Sequence, residues 1–156
     1  MSDILDDIDL QILEMLQDDG RLKRSDIAEK IGLSLPAASE RLRKLEERKV
    51  IVRYGAVVDA KKIGLDVTAF IFVQSDSSSQ YKAFREKAAA HAEVLECHAI
   101  TGDGSHVLKI RTRNTEALEK LLSQIQSWPG VTGTRTNVVL SSPKESTRVS
   151  LKHLRH

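Results

Sequence analysis

RSDIAEKIGLSLPAASERLRKLEE, residues 24–47 of a 156-residue chain, reads as two short helices joined by a tight turn. Ser25 is placed to cap the first helix, its hydroxyl accepting a hydrogen bond from an otherwise unpaired first-turn amide. Ile27, Ala28 and Ile31 recur at helical spacing, and Gly32 suits the left-handed residue just past a helix end. Ser34 caps the second helix, whose first turn tolerates Pro36 because no amide hydrogen is needed there. The pattern is helix, glycine turn, helix.

The second helix has two distinct sides. At 100° per residue, Ala38, Leu42 and Leu45 share the face that must be buried. Pro36, Glu40, Arg43 and Glu47 lie opposite, with Ala37, Ser39, Arg41 and Lys44 on the flanks. Small residues in the first half let the backbone approach a groove, and polar or basic side chains behind them can reach bases and phosphates. A solvated amphipathic helix also carries charge outside, so this helix alone does not decide. The charge distribution favours DNA. Asp3, Asp6, Asp7, Asp9, Glu14, Asp18 and Asp19 stand unopposed before residue 20, whereas residues 21–53 hold ten Lys or Arg against five acids. A basic segment on a helix–turn–helix pattern is what phosphate contact requires. The expected base readers are Ser34, Ala37, Ser39, Glu40 and Arg43, with Pro36 beside them and Arg24, Arg41 and Lys44 on phosphates.

Upstream, Leu5, Ile8, Ile12, Leu13 and Leu16 predict a third helix, capped by Asp6 or Asp7 and ended by Gly20. Downstream, VIVRYGAVVD (50–59) is rich in strand formers. It fits the strand of a winged helix–turn–helix or a linker into the second half of the chain. At 40% hydrophobic and 29% charged, the chain is long enough to bury a real core. No apolar run approaches the ~20 residues of a membrane span. The acidic start, lacking a secretory pattern, and the single Cys97 predict a reducing cytoplasm.

From about residue 64 the texture changes. DVTAFIFVQSD (66–76) is a strand: Val67, Ala69, Ile71 and Val73 alternate with Thr68, Phe70, Phe72 and Gln74, and Phe70 and Phe72 make the second face apolar too. YKAFREKAAAHAE (81–93) is a helix, VLECHAIT (94–101) a strand, GDGS a tight turn and HVLKIRTRN (106–114) the returning strand. TEALEKLLSQIQSW (115–128) is a helix capped by Thr115 and closed by Pro129 and Gly130, and VTGTRTNVVLSS (131–142) is the last strand. The order β-α-β-β-α-β is ferredoxin-like. Both helices cover one side of such a sheet, so the other predicts burial against a second copy, a homodimer. The fold class is therefore α+β. Residues 1–52 form a winged helix–turn–helix, 53–64 a strand or linker, 65–147 the ferredoxin-like domain and 148–156 a tail.

LDDIDLQILEMLQDDGR (5–21), IAEKIGLS with ERLRKLEE, ECHAITGDG (96–104) and WPGVTGTRTNVVL (128–140), in this order, resemble the Lrp/AsnC (feast/famine) family of transcription regulators. The resemblance spans roughly residues 5–147. It implies a DNA-binding domain joined to an effector domain that dimerises, assembles into tetramers of dimers and binds an amino acid between dimers. Carried onto this chain, Thr101, Gly102, Asp103, Gly104, Ser105 and His106 form one wall of the effector site, and Thr134 or Thr136 another. The tight turn frees amides for a carboxylate, and Asp103 is placed to hold an ammonium; alternatively, Gly102 and Gly104 only supply turn geometry and Asp103 bonds its own backbone. Family members commonly place an acidic and an aromatic residue where this chain has Ser105 and His106, so imidazole replaces an aromatic cover. An effector-independent, DNA-organising regulator is the alternative.

The rival class is an enzyme or metal protein built on His91, Cys97, His98 and His106. With GDGS as the turn, Thr101 pairs with His106 and His98 lies opposite Lys109, leaving the two histidines roughly 10 Å apart, too far to share a metal. No activating base is placed beside the thiol. The sequence predicts no catalytic residue, no metal and no cofactor beyond an amino-acid effector.

Overall fold

The structure, a computed structural model, describes residues 4–155; Asp3 of the acidic segment and His156 of the tail lie outside them. Two compact units emerge: residues 4–57 with 144–155, and residues 58–143.

The first unit contains α1 (Asp7–Asp18), α2 (Arg24–Ile31) and α3 (Leu35–Glu47). Asp6 caps α1 in a reciprocal box: its carboxylate accepts from the Asp9 amide at 2.9 Å, and the Asp9 carboxylate from the Asp6 amide at 3.2 Å. Ser25 does not cap α2. The cap is Lys23, whose carbonyl already accepts from the amides of Asp26 and Ile27, and Ser25 lies inside the helix. Gly32 ends α2 at φ +70°, and the Ser34 hydroxyl accepts from the Ala37 amide at 3.3 Å to start α3. Leu10, Ile12, Leu13, Ile27, Leu42 and Leu45 fill the centre. Each such side chain contributes about 1.5–3 kcal/mol when fully buried.

A seventh core residue comes from the far end of the chain. Leu151 is 9% exposed in this same cluster. The Gln17 side chain clamps the tail, its carbonyl accepting from the Val149 amide at 2.7 Å and its amide donating to the Val149 carbonyl at 3.1 Å. Arg148 pairs with Asp18 and Arg155 with Glu14, both at 2.8 Å. The basic tail is thus part of the helical unit. Of the two readings of 50–59, strand or linker, the strand does not form: among the described residues no segment pairs with it, and Val52 and Val57 are 75% and 92% exposed.

The second unit holds β1 (Val67–Ser75), α4 (Tyr81–Ala90), β2 (Val94–Ala99), β3 (His106–Thr112), α5 (Thr115–Gln126) and β4 (Val131–Val138). The sheet runs β2-β3-β1-β4, antiparallel throughout. Ala69, Ile71, Val73, Leu108 and Ile110 pack beneath Phe84 and Ala88 of α4 and Leu118, Leu121 and Ile125 of α5, so both helices lie on one face. Asn114, not Thr115, caps α5, its side-chain carbonyl accepting from the Ala117 amide at 2.9 Å. Gly130 turns the chain into β4 at φ +78°; a Cβ there would come within 2.6 Å of the Gln80 Cβ.

The β2–β3 register departs from expectation by two residues. Ala99 faces His106, His98 faces Val107 and Glu96 faces Lys109, because the connection is a six-residue loop, 100–105, rather than a four-residue turn. The Ile100 amide closes it onto the Ser105 carbonyl at 3.0 Å.

Candidate DNA-reading helix and effector hollow

On α3, Ala38, Leu42 and Leu45 are buried, which leaves Ser34, Pro36, Glu40, Arg43 and Lys44 exposed and Ala37, Ser39 and Arg41 half-buried. Arg24, the first residue of α2, is exposed as well. Leu35, 50% exposed in the first turn of α3, adds an apolar contact that helical spacing alone did not single out. The two arginines differ in their partners. Arg41 reaches back across the unit to Asp6 and, at 3.4 Å, Asp9. Its hydrogen bond holds the Asp6 carboxyl below the usual range. Arg43 stays on its own helix, donating to Glu40 at 2.9 and 2.6 Å and also to Glu47. Glu40 is held below its ordinary value by that bond, and the guanidinium is raised by the two carboxylates. Arg43 is therefore presented on the outer face with its planar fork already held, while Arg41 joins α3 to the capped end of α1. Below α3, the Tyr54 hydroxyl donates to Glu46 at 2.9 Å, and burial followed by that carboxylate pushes it up to about 12.

In the sheet unit a hollow of about 140 Å³ opens on the face away from the helices, lined by Phe72, Gln74, Ile100, Thr101, Asp103, Gly104 and Arg135. Three elements converge there because Phe72 sits opposite Arg135 on β4 and Val107 on β3. The guanidinium of Arg135 lies 4.8 Å from the centre of the Phe72 ring. Gly104 is pressed against β1: a Cβ would stand 3.0 Å from the Val73 carbonyl oxygen.

Of the residues expected in this site, Thr101, Asp103 and Gly104 line the hollow, and Gly102 shares their loop at φ +102°. Three others point away from it. Thr134 and Thr136 pair with Val73 and Ile71, core residues of the helix-covered face, and Thr134 accepts from Gln126 of α5 at 3.2 Å. His106 is buried beneath α4, with its ring 4.8 Å from Tyr81 and 4.9 Å from Phe84. Strand alternation accounts for all three: residues opposite Val73 and Ile71 share their face. The same rule, applied from Phe72, finds the missed Arg135.

The residues of the rival reading are dispersed. His98 pairs with Glu96 at 2.9 Å, His91 bonds Gln124 at 2.8 Å, and burial pushes the Cys97 thiol up, away from an activated thiolate. Among the described residues no cluster of three His, Cys, Asp or Glu could hold a metal, and no helix is long and apolar enough to cross a membrane.

A helix–turn–helix unit carried in one chain with a ferredoxin-like unit is the arrangement of a DNA-binding regulator with a second, ligand-binding domain. Residues 5–52 match the winged helix-turn-helix DNA-binding family and residues 68–149 the Lrp/AsnC ligand binding domain. The chain belongs to the Lrp/AsnC family of transcriptional regulators, which are not enzymes. It is 38% identical over 148 residues to the HTH-type transcriptional regulator FL11 of Pyrococcus horikoshii, covering 95% of this chain and 97% of that protein. It is 32% identical over 151 residues to the leucine-responsive regulatory protein of Escherichia coli, at 95% and 92% coverage. A transcriptional regulator of Neisseria meningitidis, solved as a complex with L-Met, superposes with a TM-score of 0.91 at 30% identity, covering 96% of this chain and 99% of that one.

Proposed function

We propose that α3 reads a specific sequence in the major groove through Ser34, Leu35, Ala37, Ser39, Glu40 and Arg43, with Pro36 seating the first turn. Arg24 and Lys44 hold phosphates. An amino acid occupies the hollow and sets the assembly or DNA affinity of the protein. Arg135 and the loop amides take its carboxylate, Asp103 its ammonium, and Gln74 and Thr101 its polar groups. The observation that carries this reading is the convergence of Arg135 and Asp103, opposite charges on different elements, on one small hollow. The relative solved with L-Met supports the ligand class. Ligand sites commonly enclose roughly 300–1,000 Å³, so a 140 Å³ hollow serves as one wall of a site completed by a second copy. The open sheet face with Phe70 and Phe72 forms a homodimer, and dimers associate into tetramers of dimers in the cytoplasm.

Calorimetric titration with the twenty amino acids, beside a gel shift on upstream DNA, tests this. At least one amino acid binds wild type and fails to bind Asp103→Ala. Binding unchanged in that variant moves the site elsewhere, and no binding at all favours an effector-independent regulator. A monodisperse monomer at micromolar concentration overturns the dimer.

A further inference from the structure

His106 is the one ionisable side chain that is fully buried among the described residues, at 1% exposure, and the hollow does not use it. Both ring nitrogens are engaged. Arg85 of α4 donates from Nε to His106 Nε2 at 2.9 Å, and His106 Nδ1 lies 2.8 Å from the Ser105 hydroxyl. An arginine can only donate, so Nε2 is the bare nitrogen and the proton sits on Nδ1. Nδ1–H then donates to the Ser105 hydroxyl. The hydroxyl hydrogen goes on to the Val73 carbonyl, 3.3 Å away, which also accepts from the Ser105 amide at 2.8 Å. One cation thereby fixes the direction of every bond from α4, through the start of β3 and the end of the loop, to the backbone of β1.

The far end of this chain of bonds is the wall of the hollow. Ser105 closes the loop that carries Thr101, Asp103 and Gly104, and Gly104 has no slack against Val73. We propose that Arg85, His106 and Ser105 form a positioning relay that holds this loop in its binding geometry while His106 is neutral. The relay rests on the reading of the hollow as the effector site. A second proton on Nε2 would abolish the Arg85 bond and set two cations face to face. Nδ1–H keeps its direction, so the relay gives way because the ring and the Ser105 bonded to it are pushed from their place, not because the bonds behind it reverse. Arg85 is the charged group acting on the ring; Tyr81 meets it at right angles and Phe84 lies tilted against it, both from α4, and Val73 and Ala99 flank His106 in the sheet. Burial first, then Arg85, push the imidazole below its ordinary value, so the relay holds at neutral pH and gives way in acid.

Nitrogen NMR of the full-length protein reads the tautomer, and hydrogen exchange reads the Ile100 and Ser105 amides. We expect an Nδ1–H imidazole at pH 7.5 and loop exchange roughly tenfold faster in Ser105→Ala and in His106→Phe, which keeps the packing. Ser105→Thr, retaining the hydroxyl, keeps the protection. After correction for intrinsic rates, wild-type protection falls as pH drops below the ordinary histidine value of about 6.5, whereas His106→Phe shows no such step. An Nε2–H tautomer, or exchange unchanged in both Ser105→Ala and His106→Phe, overturns the relay. These readouts need no ligand. A relay that holds while L-methionine and the other amino acids ignore its loss would instead overturn the reading of the hollow.

Discussion

The helix–turn–helix and the proposed effector hollow are built in opposite ways. The face proposed to read DNA comes from one contiguous stretch, 34–47, whose geometry follows from a 3.6-residue period and two caps. The hollow joins residues 72, 74, 100, 101, 103, 104 and 135, which strand pairing and the β2–β3 loop bring together. Stability reverses the contrast. The local reading face belongs to a unit whose core is completed by Leu151, more than a hundred residues away, whereas the long-range hollow sits on a sheet contained within one stretch, 58–143. Locality of a site therefore says little about locality of what supports it.

Cutting the distant support should give the largest effect. Leu151→Ala removes a core side chain and should destabilise the helical unit by about 2–4 kcal/mol, read by denaturant unfolding, with Trp128 reporting the sheet unit unchanged. If the helical unit loses nothing, the tail is only an appendage. Next in size is Arg135→Ala, which removes the cation of the hollow. It should weaken amino-acid binding by about 1.5–3 kcal/mol in calorimetry, the scale of a charge-assisted hydrogen bond, while the β1–β4 pairing and thermal stability persist. Slightly smaller is Arg43→Ala. If Arg43 reads a guanine, competition gel shifts should show about 1–3 kcal/mol lost on the preferred sequence with little change on random DNA.

The same contrast governs how legible each region is in sequence. Ala38, Leu42 and Leu45 can be assigned to the core, and Gly32 and Ser34 to the turn, because a helix fixes its faces from spacing alone. The four-stranded sheet is legible from its alternating segments. Its hairpin register is not, since GDGS looks like a turn and the loop extends from Ile100 to Ser105. A two-residue slip leaves each side chain on its own face, so the register does not decide where His106 points; its alternation with Leu108 and Ile110 puts it under α4. Thr134 and Thr136 stand out in sequence ahead of Arg135 because no local signal states which face of β4 meets Phe72. The docking of Leu151 has no local signal at all, since a single leucine in a basic tail carries no periodicity.

The smallest expected effect separates the two arginines of α3. Arg41 and Arg43 are two residues apart and look alike in sequence, yet one is tied to Asp6 and Asp9 at the capped start of α1 and the other to Glu40 and Glu47 on its own helix. Arg41→Ala should therefore act on stability, by about 0.5 kcal/mol for so exposed a pair, and leave the salt dependence of DNA binding alone. Lys44→Ala should instead flatten that dependence by about 0.9 in slope. The pH dependence carries the sign. The Asp6 carboxyl is depressed in the folded chain, first by its bond to Arg41. Its contribution is therefore complete above the ordinary aspartate value of about 3.9 and lost as pH falls through the lower folded value. The stability gap between wild type and Arg41→Ala should stay level from pH 8 to 5 and close below about pH 4, measured by denaturation at each pH. A variant that keeps wild-type stability across that range, yet loses one ion from the salt slope, would return Arg41 to the phosphate backbone.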